Sequence, residues 1–236
     1  IASVVIGARA TLKNLTDDFE ILVIDDGSRD HTGEILEELG GIIPELRVLR
    51  HSTNRGYGAA LRTGFAASTK DIVFYTDGDA QFDPRDLPRL VDAMGPSVDY
   101  VTGFRIERSD PVLRVALGRP YHWLLRKAFG LKLRDLDCDF RLFRRRVLQR
   151  VELGESNGAL CIELLKKLED GGARFREVSV RHYPRVYGRS QYYTPAHVLR
   201  SHLQLLRLWV DLVVRKKHLD STSGSTLDGR IARDEP

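Results

Sequence analysis

Two short apolar runs in this chain each end in acidic residues and a glycine. Residues 21–24 lead into Asp-Asp-Gly-Ser at 25–28, and residues 72–75 lead into Thr-Asp-Gly-Asp at 76–79. Continuous apolar runs are typical of strands buried on both faces of a parallel sheet, whose carboxyl ends meet at one edge. The sequence therefore predicts two acidic turns at a ligand-binding edge. An ordinary turn is the alternative, because Asp and Gly dominate turns in general.

The remaining pattern predicts an α/β fold. Further strands are predicted at residues 3–6, 47–49, 100–101 and 174–180. Helical patterns separate them, at residues 31–39, 57–67, 84–94, 113–129, 144–151, 160–169 and 197–217. Short apolar strands alternating with helices are typical of a Rossmann-like, mostly parallel sheet flanked by helices. Gly40 and Gly41 are the predicted stop of the helix that begins near residue 31.

The composition limits the classes of protein to consider. The chain has 236 residues, is 42% hydrophobic and carries a net charge of +4. That is enough for a core and gives no argument for a nucleic-acid partner. No run reaches the roughly 18 to 20 apolar residues that span a bilayer. Cys138 and Cys161 are too few for a disulfide framework or a thiolate metal site, and they fit a reducing cytosolic setting.

The last helical segment has the composition of an amphipathic helix at a membrane surface. Residues 197–217 carry a broad apolar face and end in the basic run 215–217. Such a helix binds lipid through apolar burial and through attraction to anionic headgroups. Packing on the protein core or on a second subunit is an equally good interpretation of the same pattern.

The order of the motifs resembles family 2 glycosyltransferases of the GT-A fold. The acidic turn at 25–28, the pair Asp77 and Asp79, and Tyr-Pro-Arg-Val-Tyr-Gly-Arg-Ser at 183–190 occur in this order. Within that family the chain is most similar to polyprenyl-phosphate sugar synthases, the dolichyl-phosphate mannose or glucose synthase group. Three features carry this narrower resemblance: Gln81, residues 103–105 and residues 135–143.

The resemblance implies a nucleotide-sugar site with a divalent metal. The residues that it assigns to nucleotide-sugar binding are Asp25, Asp26, Asp77, Arg185 and Ser190. It assigns Mg²⁺ or Mn²⁺ to Asp77, Asp79 and Gln81. A divalent ion on the diphosphate stabilises the charge that develops on the leaving group, and carboxylate and amide oxygens suit either ion.

For the acceptor, the resemblance implies a lipid phosphate held by Arg105 and Arg134, with Arg141 as a further contact. Guanidinium groups match phosphate oxygens in a bidentate fork. A phosphate oxygen is ionised near neutral pH and attacks without a general base. Asp79, Arg105 and Arg134 are therefore the predicted catalytic residues. The predicted reaction is an inverting transfer of a hexose from a GDP-mannose or UDP-glucose type of donor to polyprenyl or dolichyl phosphate.

Two other functions remain open. Family 2 enzymes that glycosylate hydroxyls usually carry an acidic base, and Asp137 or Asp139 would serve as one in a transferase acting on a saccharide or a protein. The third interpretation is a non-catalytic scaffold that keeps the nucleotide pocket. Loss of activity on substitution of Asp79 would separate an enzyme from a scaffold.

The resemblance also implies a domain organisation and a location. A single GT-A domain covers residues 1–214. It divides into a nucleotide-sugar half at 1–103, an acceptor half at 104–196 and an interfacial helix at 197–217, followed by a polar tail at 218–236. With a lipid acceptor and an interfacial helix, the predicted location is cytoplasmic, peripheral at the cytosolic face of a membrane.

Overall fold

The computed structural model describes residues 1–106, 112–184 and 195–222. The strands are β1 Ile21–Asp25, β2 Leu46–Arg50, β3 Ile72–Thr76, β4 Tyr100–Arg105, β5 Phe140–Arg144 and β6 Phe175–Val180. The helices are α1 Ala2–Lys13, α2 Thr32–Ile42, α3 Tyr57–Ala67, α4 Leu87–Ala93, α5 Val112–Phe129, α6 Arg145–Leu148, α7 Ala159–Asp170, α8 Pro195–Trp209 and α9 Lys217–Thr222. The polar tail therefore lies largely outside the described residues.

The strands form two sheets. Strands β1 and β2 pair in parallel, and the other four are ordered β3-β5-β4-β6. Strands β4 and β6 are parallel, whereas β5 is antiparallel to both of its neighbours. The predicted α/β class with parallel-rich sheets flanked by helices is confirmed. The antiparallel β5 was not predicted, because its two arginines, Arg141 and Arg144, resemble the arginine-rich helical segment that follows.

Residues 3–6 form part of helix α1, so the predicted first strand is wrong. Val5 is buried against Ile21 and Leu36 in a small core cluster, while Ile6 is exposed. The run is therefore buried on one side only, as in a helix that packs on a sheet. The three β-branched residues Val4, Val5 and Ile6 favour a strand by propensity, but tertiary packing overrides that preference.

Two predicted helix boundaries also differ from the structure. Helix α2 continues through Gly40 and Gly41 and ends at Ile42. A Cβ on either glycine would meet nothing within 4 Å, so neither residue is required for a turn. The predicted helix at 144–151 shortens to the single turn α6, because Arg144 belongs to β5.

The segment predicted as one helix at 197–217 is interrupted. Helix α8 ends at Trp209 and a π-helical turn covers Val210–Val214. Lys216 then takes a positive φ of 52°, and α9 begins at the next residue. Leu208 and Leu212 are buried in the largest core cluster, so one side of this segment packs on the domain. Within the described residues no helix is long and apolar enough to cross a membrane.

Candidate active site

The acidic turn after β3 has a strained backbone. Ala80 has a φ of 61°, in the left-handed region that residues with a side chain rarely adopt. The Asp79 carboxylate accepts a hydrogen bond from the main-chain N–H of Gln81 at 3.0 Å. This bond closes the turn, which carries Asp77, Asp79 and Gln81 directly after the end of β3.

Gln81 connects this turn to the start of the predicted diphosphate loop. The main-chain oxygen of Gln81 accepts from the N–H of Tyr183 at 2.8 Å. The side-chain amide of Gln81 donates to the carbonyl oxygen of Tyr183 at 3.2 Å. Phe82 and His182 form an antiparallel bridge beside these bonds. Arg185 and Ser190, which were predicted to bind the nucleotide sugar, lie outside the described residues.

Strand β5 brings another carboxylate to the same edge. The register of β3 and β5 pairs Thr76 with Phe140, so Asp77 and Asp139 are the next residues across the two strands. Asp139 accepts a hydrogen bond from the Tyr75 hydroxyl at 3.1 Å and one from the Cys161 thiol at 3.4 Å. Burial raises the pKa of Asp139, and the charge of Arg141 opposes that increase.

Arg141 is fully buried and directs its described hydrogen bonds into the protein. Its Nη1 donates to the Tyr75 hydroxyl at 2.8 Å and its Nε donates to the Thr102 hydroxyl at 3.2 Å. Its Nη1 also lies 3.9 Å from the Asp139 carboxylate, which supplies the counter-charge. Arg141 therefore has no surface with which to meet a lipid phosphate, and its predicted role there is wrong.

Arg105 forms a bidentate ion pair with Asp135. Its Nε and Nη2 donate to the two carboxylate oxygens of Asp135, each at 2.7 Å. The side chains of Arg105 and Asp135 are only 9% and 7% exposed. Two of the nitrogens that were predicted to contact the acceptor phosphate are thus directed at a carboxylate within the protein.

Arg134 lies next to this pair and faces solvent. Its side chain is 69% exposed, with Nε 3.5 Å from a Glu177 oxygen. Its guanidinium lies 5.2 Å from the centre of the Phe104 ring. Because Phe104 precedes Arg105 and Arg134 precedes Asp135, the two predicted acceptor arginines belong to one region. Of the two, Arg134 is the more accessible to an anionic ligand.

The two acids considered as a base occupy different environments. Asp137 is half exposed and its carboxylate lies 3.0 Å from Nε2 of His122. Asp139, by contrast, is largely buried across from Asp77. Only Asp139 therefore lies beside the acidic turn.

Asp26, after β1, holds the loop that precedes α3. Its carboxylate accepts from the N–H of Arg55 at 2.9 Å and from the N–H of Gly56 at 2.8 Å. The same carboxylate lies 2.6 Å from Nδ1 of His51, whose Nε2 lies 3.0 Å from the Thr63 hydroxyl. Asp26 thus stabilises the conformation of the loop at residues 52–56.

Asp25 is more buried than Asp26 and adjoins a cavity. It is 3% exposed, accepts from the N–H of Ser28 at 2.8 Å and lies 3.1 Å from Nε of Arg50. Ser28 and Arg50 both line an open cavity of about 440 Å³ between the turn after β1 and the loop after β2. Asp25 is therefore part of the wall structure of this cavity.

Tyr57 is a residue of this region that the sequence analysis did not identify. It begins α3, directly after Gly56, and within the described part of the chain its buried hydroxyl has no hydrogen-bond partner. Burial raises the pKa of Tyr57 well above its ordinary value, and nearby groups that include Asp139 and Asp77 add to the increase. The phenol of Tyr57 therefore stays protonated.

The donor atoms of the acidic turn fit a divalent cation only in part. Asp77, Asp79 and Gln81 offer carboxylate and amide oxygens, the ligand type that Mg²⁺ and Mn²⁺ prefer. The described residues contain no group of three or more His, Cys, Asp and Glu side chains arranged to hold a metal ion. An ion at this turn would therefore need further oxygen ligands from a bound molecule.

Comparison with known proteins identifies the family. The family model described as glycosyl transferase family 2 matches residues 7–152. The chain belongs to glycosyltransferase family 2. This confirms the resemblance that the acidic turns and their order indicated.

Members of this family with curated names are similar over most of the chain. An undecaprenyl-phosphate 4-deoxy-4-formamido-L-arabinose transferase of Yersinia enterocolitica is 30% identical over 206 residues, which are 86% of this chain and 59% of that protein. The protein with this name from Pseudomonas aeruginosa is 32% identical over 201 residues, 83% of this chain and 55% of that protein. The chain thus spans less than two thirds of these relatives. Their names confirm the predicted likeness to polyprenyl-phosphate sugar transferases.

Comparison with solved structures confirms the fold. Glucosyl-3-phosphoglycerate synthase of Mycobacterium tuberculosis with Mn²⁺, uridine diphosphate and phosphoglyceric acid matches with a TM-score of 0.68 at 24% identity, over 89% of this chain and 73% of that one. A complex of the same enzyme with phosphoglyceric acid gives 0.66 at 23% identity, over 88% and 75%. Likeness at this identity shows the GT-A architecture alone.

Proposed function

We propose that this chain transfers a sugar from a nucleotide sugar to a polyprenyl phosphate. The observation that carries the proposal is the acidic turn at residues 77–81, closed by the bond between Asp79 and Gln81 and joined to Tyr183. The names of the curated relatives support a polyprenyl-phosphate acceptor. The whole activity is a proposal because the chain spans 59% and 55% of those relatives.

In this proposal the donor binds at the acidic turn. Asp77, Asp79 and Gln81 would hold Mg²⁺ or Mn²⁺, which when bound neutralises charge on a diphosphate leaving group. Arg185 and Ser190 are proposed to donate hydrogen bonds to the diphosphate. In the sequence they follow Tyr183, which is hydrogen-bonded to Gln81.

Asp25 and Asp26 would contribute to the nucleoside end of the donor site. The cavity of about 440 Å³ beside Asp25 supports this assignment. The donor sugar is proposed as a hexose carried by UDP or GDP. The formamido-arabinose in the relatives' names is the alternative sugar.

The acceptor phosphate is proposed to bind at Arg134, with Arg105 beside it. Arg134 is exposed, so its guanidinium can meet an anion in addition to the Glu177 carboxylate, which lies 3.5 Å from its Nε. A phosphate oxygen attacks the anomeric carbon without surrendering a proton, so no base is needed. The acceptor is a membrane lipid, which leads us to propose that the protein works at the cytosolic face of a membrane.

A transferase acting on a hydroxyl is the second candidate. The position of Asp139 opposite Asp77 and its raised pKa favour it. However, Asp139 is also the counter-ion of the fully buried Arg141 and accepts bonds from Tyr75 and Cys161. These contacts give Asp139 a structural role that does not require a base function, so we prefer the phosphate acceptor.

Ligand-dependent thermal unfolding tests the donor site. We expect one UDP or GDP sugar to raise the melting temperature only when Mn²⁺ or Mg²⁺ is present, because a ligand of the folded state stabilises it. Asp79→Asn keeps an oxygen that can accept from Gln81 but removes the charge. It should abolish the shift and lower transfer to polyprenyl phosphate by roughly 100-fold or more.

The exposed Asp17 provides the matched control. Asp17→Asn should retain the ligand-dependent shift and the transfer activity. Product analysis then distinguishes the acceptors, since a glycosyl phosphate is labile to acid and most O-glycosides are stable. Full activity of Asp79→Asn, with an unchanged melting temperature in the absence of ligand, would overturn the proposed metal site.

A further inference from the structure

Helices α5 and α8 lie side by side in the second half of the chain. The rings of Tyr121 and His202 are 5.4 Å apart, and Nε1 of Trp209 donates to the carbonyl of Ala128 at 2.8 Å. Both contacts join residues that are 81 positions apart. The two helices therefore run parallel and in register.

Each helix has an inner face that packs on the core and an outer face that is exposed. Leu125 and Ala128 of α5, and Leu205 and Leu208 of α8, belong to the largest core cluster. The outer faces carry large apolar side chains: Trp123 is 59% exposed, Leu124 58%, Leu203 50% and Leu206 57%. Because the helices are in register, these two apolar stripes lie at the same level and both face away from the shared core.

Helices α5 and α8 carry basic side chains and no acidic ones. The 18 residues of α5 and the 15 residues of α8 contain no Asp or Glu, although the chain has 33 acidic residues. Lys127 and Arg207 are exposed beside the apolar stripes, and the exposed Lys216 follows α8. Arg215 and Lys217 contribute less, since both pair with Asp211.

We propose that Trp123, Leu124, Lys127, Leu203, Leu206 and Arg207 form one docking surface, the α5–α8 surface, for an anionic lipid bilayer. Apolar burial and attraction to anionic headgroups add at such a surface, and tryptophan favours the boundary between lipid and water. A second copy of the chain would bring the same positive surface against this one, and like charges oppose that contact.

This surface is connected to the proposed acceptor region. Nε2 of His122, in α5, lies 3.0 Å from the carboxylate of Asp137, in the segment that carries Arg134 and Asp135. A bilayer bound along α5 would therefore lie close to the arginines proposed for the lipid phosphate. The biological purpose of this surface rests on the proposed function. Its binding to lipid, however, can be measured without any sugar donor.

Co-sedimentation with vesicles tests the apolar part of the surface. The unmodified chain should bind vesicles that contain phosphatidylglycerol more tightly than vesicles of phosphatidylcholine alone. The double substitution Leu203→Gln and Leu206→Gln should weaken this binding by roughly tenfold or more, because two exposed apolar side chains are lost. The control is Ile42→Gln, at a residue that is 74% exposed at the end of α2, and it should bind as before.

A second pair of variants tests the charge. Lys127→Gln with Arg207→Gln should weaken binding to the phosphatidylglycerol vesicles by roughly tenfold and leave the weaker binding to phosphatidylcholine almost unchanged. Arg150→Gln removes one exposed charge elsewhere and should have little effect. All variants should keep the melting temperature of the unmodified chain, since their side chains lie on the outside.

Three results would overturn the inference. One is vesicle binding that is unchanged in both double variants while their melting temperatures are kept. Another is equal binding of charged and neutral vesicles. The third is a dimer, measured by sedimentation velocity, that the substitution of Leu203 and Leu206 dissociates, because the surface would then belong to a second copy. If the chain binds vesicles but no nucleotide sugar changes its melting temperature, the proposed function is wrong while the α5–α8 surface is still supported.

Discussion

At the scale of single residues, the start of α3 depends on glycines that admit no side chain. The N–H of Gly58 donates to the carbonyl of Ser156 at 2.9 Å. A Cβ on Gly58 would lie 2.7 Å from the carbonyl oxygen of Glu155, and one on Gly56 would lie 2.4 Å from that of Ser156. Gly56 also has a φ of 94°. The loop that Asp26 holds is therefore seated directly on the main chain of residues 155–156.

Gly58→Ala should destabilise the protein by about 1 to 3 kcal/mol, because the added methyl overlaps main-chain atoms that cannot rotate away. Gly40→Ala is the matched control. A Cβ at Gly40 meets nothing within 4 Å in helix α2, so alanine should stabilise by about 0.5 to 1 kcal/mol. Urea unfolding of the three proteins measures both changes, and equal effects at the two glycines would contradict the close approach.

At the scale of elements, one carboxylate joins the beginnings of β4 and β6. Asp99 accepts from the main-chain N–H of Arg174 at 2.9 Å and lies 3.4 Å from Nη2 of Arg146. The hydrogen bond from Arg174 lowers the pKa of Asp99, burial opposes the decrease, and Arg146 adds to it. A carboxylate whose pKa falls on folding stabilises the folded state above its unfolded pKa.

The Asp99→Asn variant should therefore be less stable at neutral pH, by about 1 kcal/mol, because the charge-assisted bond becomes a neutral one. The difference from the unmodified chain should shrink as the pH falls from the unfolded pKa, about 4, through the lower pKa of the folded state, below which the carboxyl group is protonated in both states. Urea unfolding at neutral and acidic pH measures this difference in the free energy of unfolding. The exposed Asp92→Asn serves as control, and a difference that stays constant with pH would refute this account.

At the scale of the whole molecule, Arg62 joins the two halves of the chain. From α3 its Nη1 donates to the carbonyls of Leu153 at 3.3 Å and Glu155 at 3.1 Å. On the other side, the carboxylate of Glu163 in α7 accepts from the N–H groups of Gly154 at 3.0 Å and Glu155 at 2.9 Å. Residues 153–155 are thus held by the guanidinium of Arg62, from the first half of the chain, and by the carboxylate of Glu163, from the second.

Arg62→Met keeps the apolar stem of the side chain and removes these donors. We expect a loss of about 1 to 3 kcal/mol, since several partly buried carbonyls lose their partner. Trp123 and Trp209 both report on the second half by fluorescence, whereas circular dichroism reports on all helices. The two probes should coincide in the unmodified chain and separate in the variant, and Arg150→Met should behave as the unmodified chain does.

The local pattern of apolar and turn residues was sufficient to predict several of the strands and helices. Strands β1, β2 and β3 and helix α3 follow from apolar runs and their turn residues, because the period and the turn chemistry are properties of neighbouring residues. The acidic turn at 77–81 was found for the same reason. The strand predicted at residues 3–6 is wrong because a run of three apolar residues fits either element, and only the packing of Val5 on Ile21 and Leu36 selects the helix.

The sequence by itself determined the α/β class, the acidic turns at strand ends and the family. Only the tertiary structure decided which charged groups are buried and paired. Arg105 pairs with Asp135, which is 30 residues away in the sequence. Arg141 donates to the hydroxyl of Tyr75, which is 66 residues away and lies opposite it in the register of β5 and β3. Such partners are set by strand pairing and packing between distant segments. Local periodicity carries no information on them, so the ion pairs of Arg105 and Arg141 within the protein could not be predicted from the sequence.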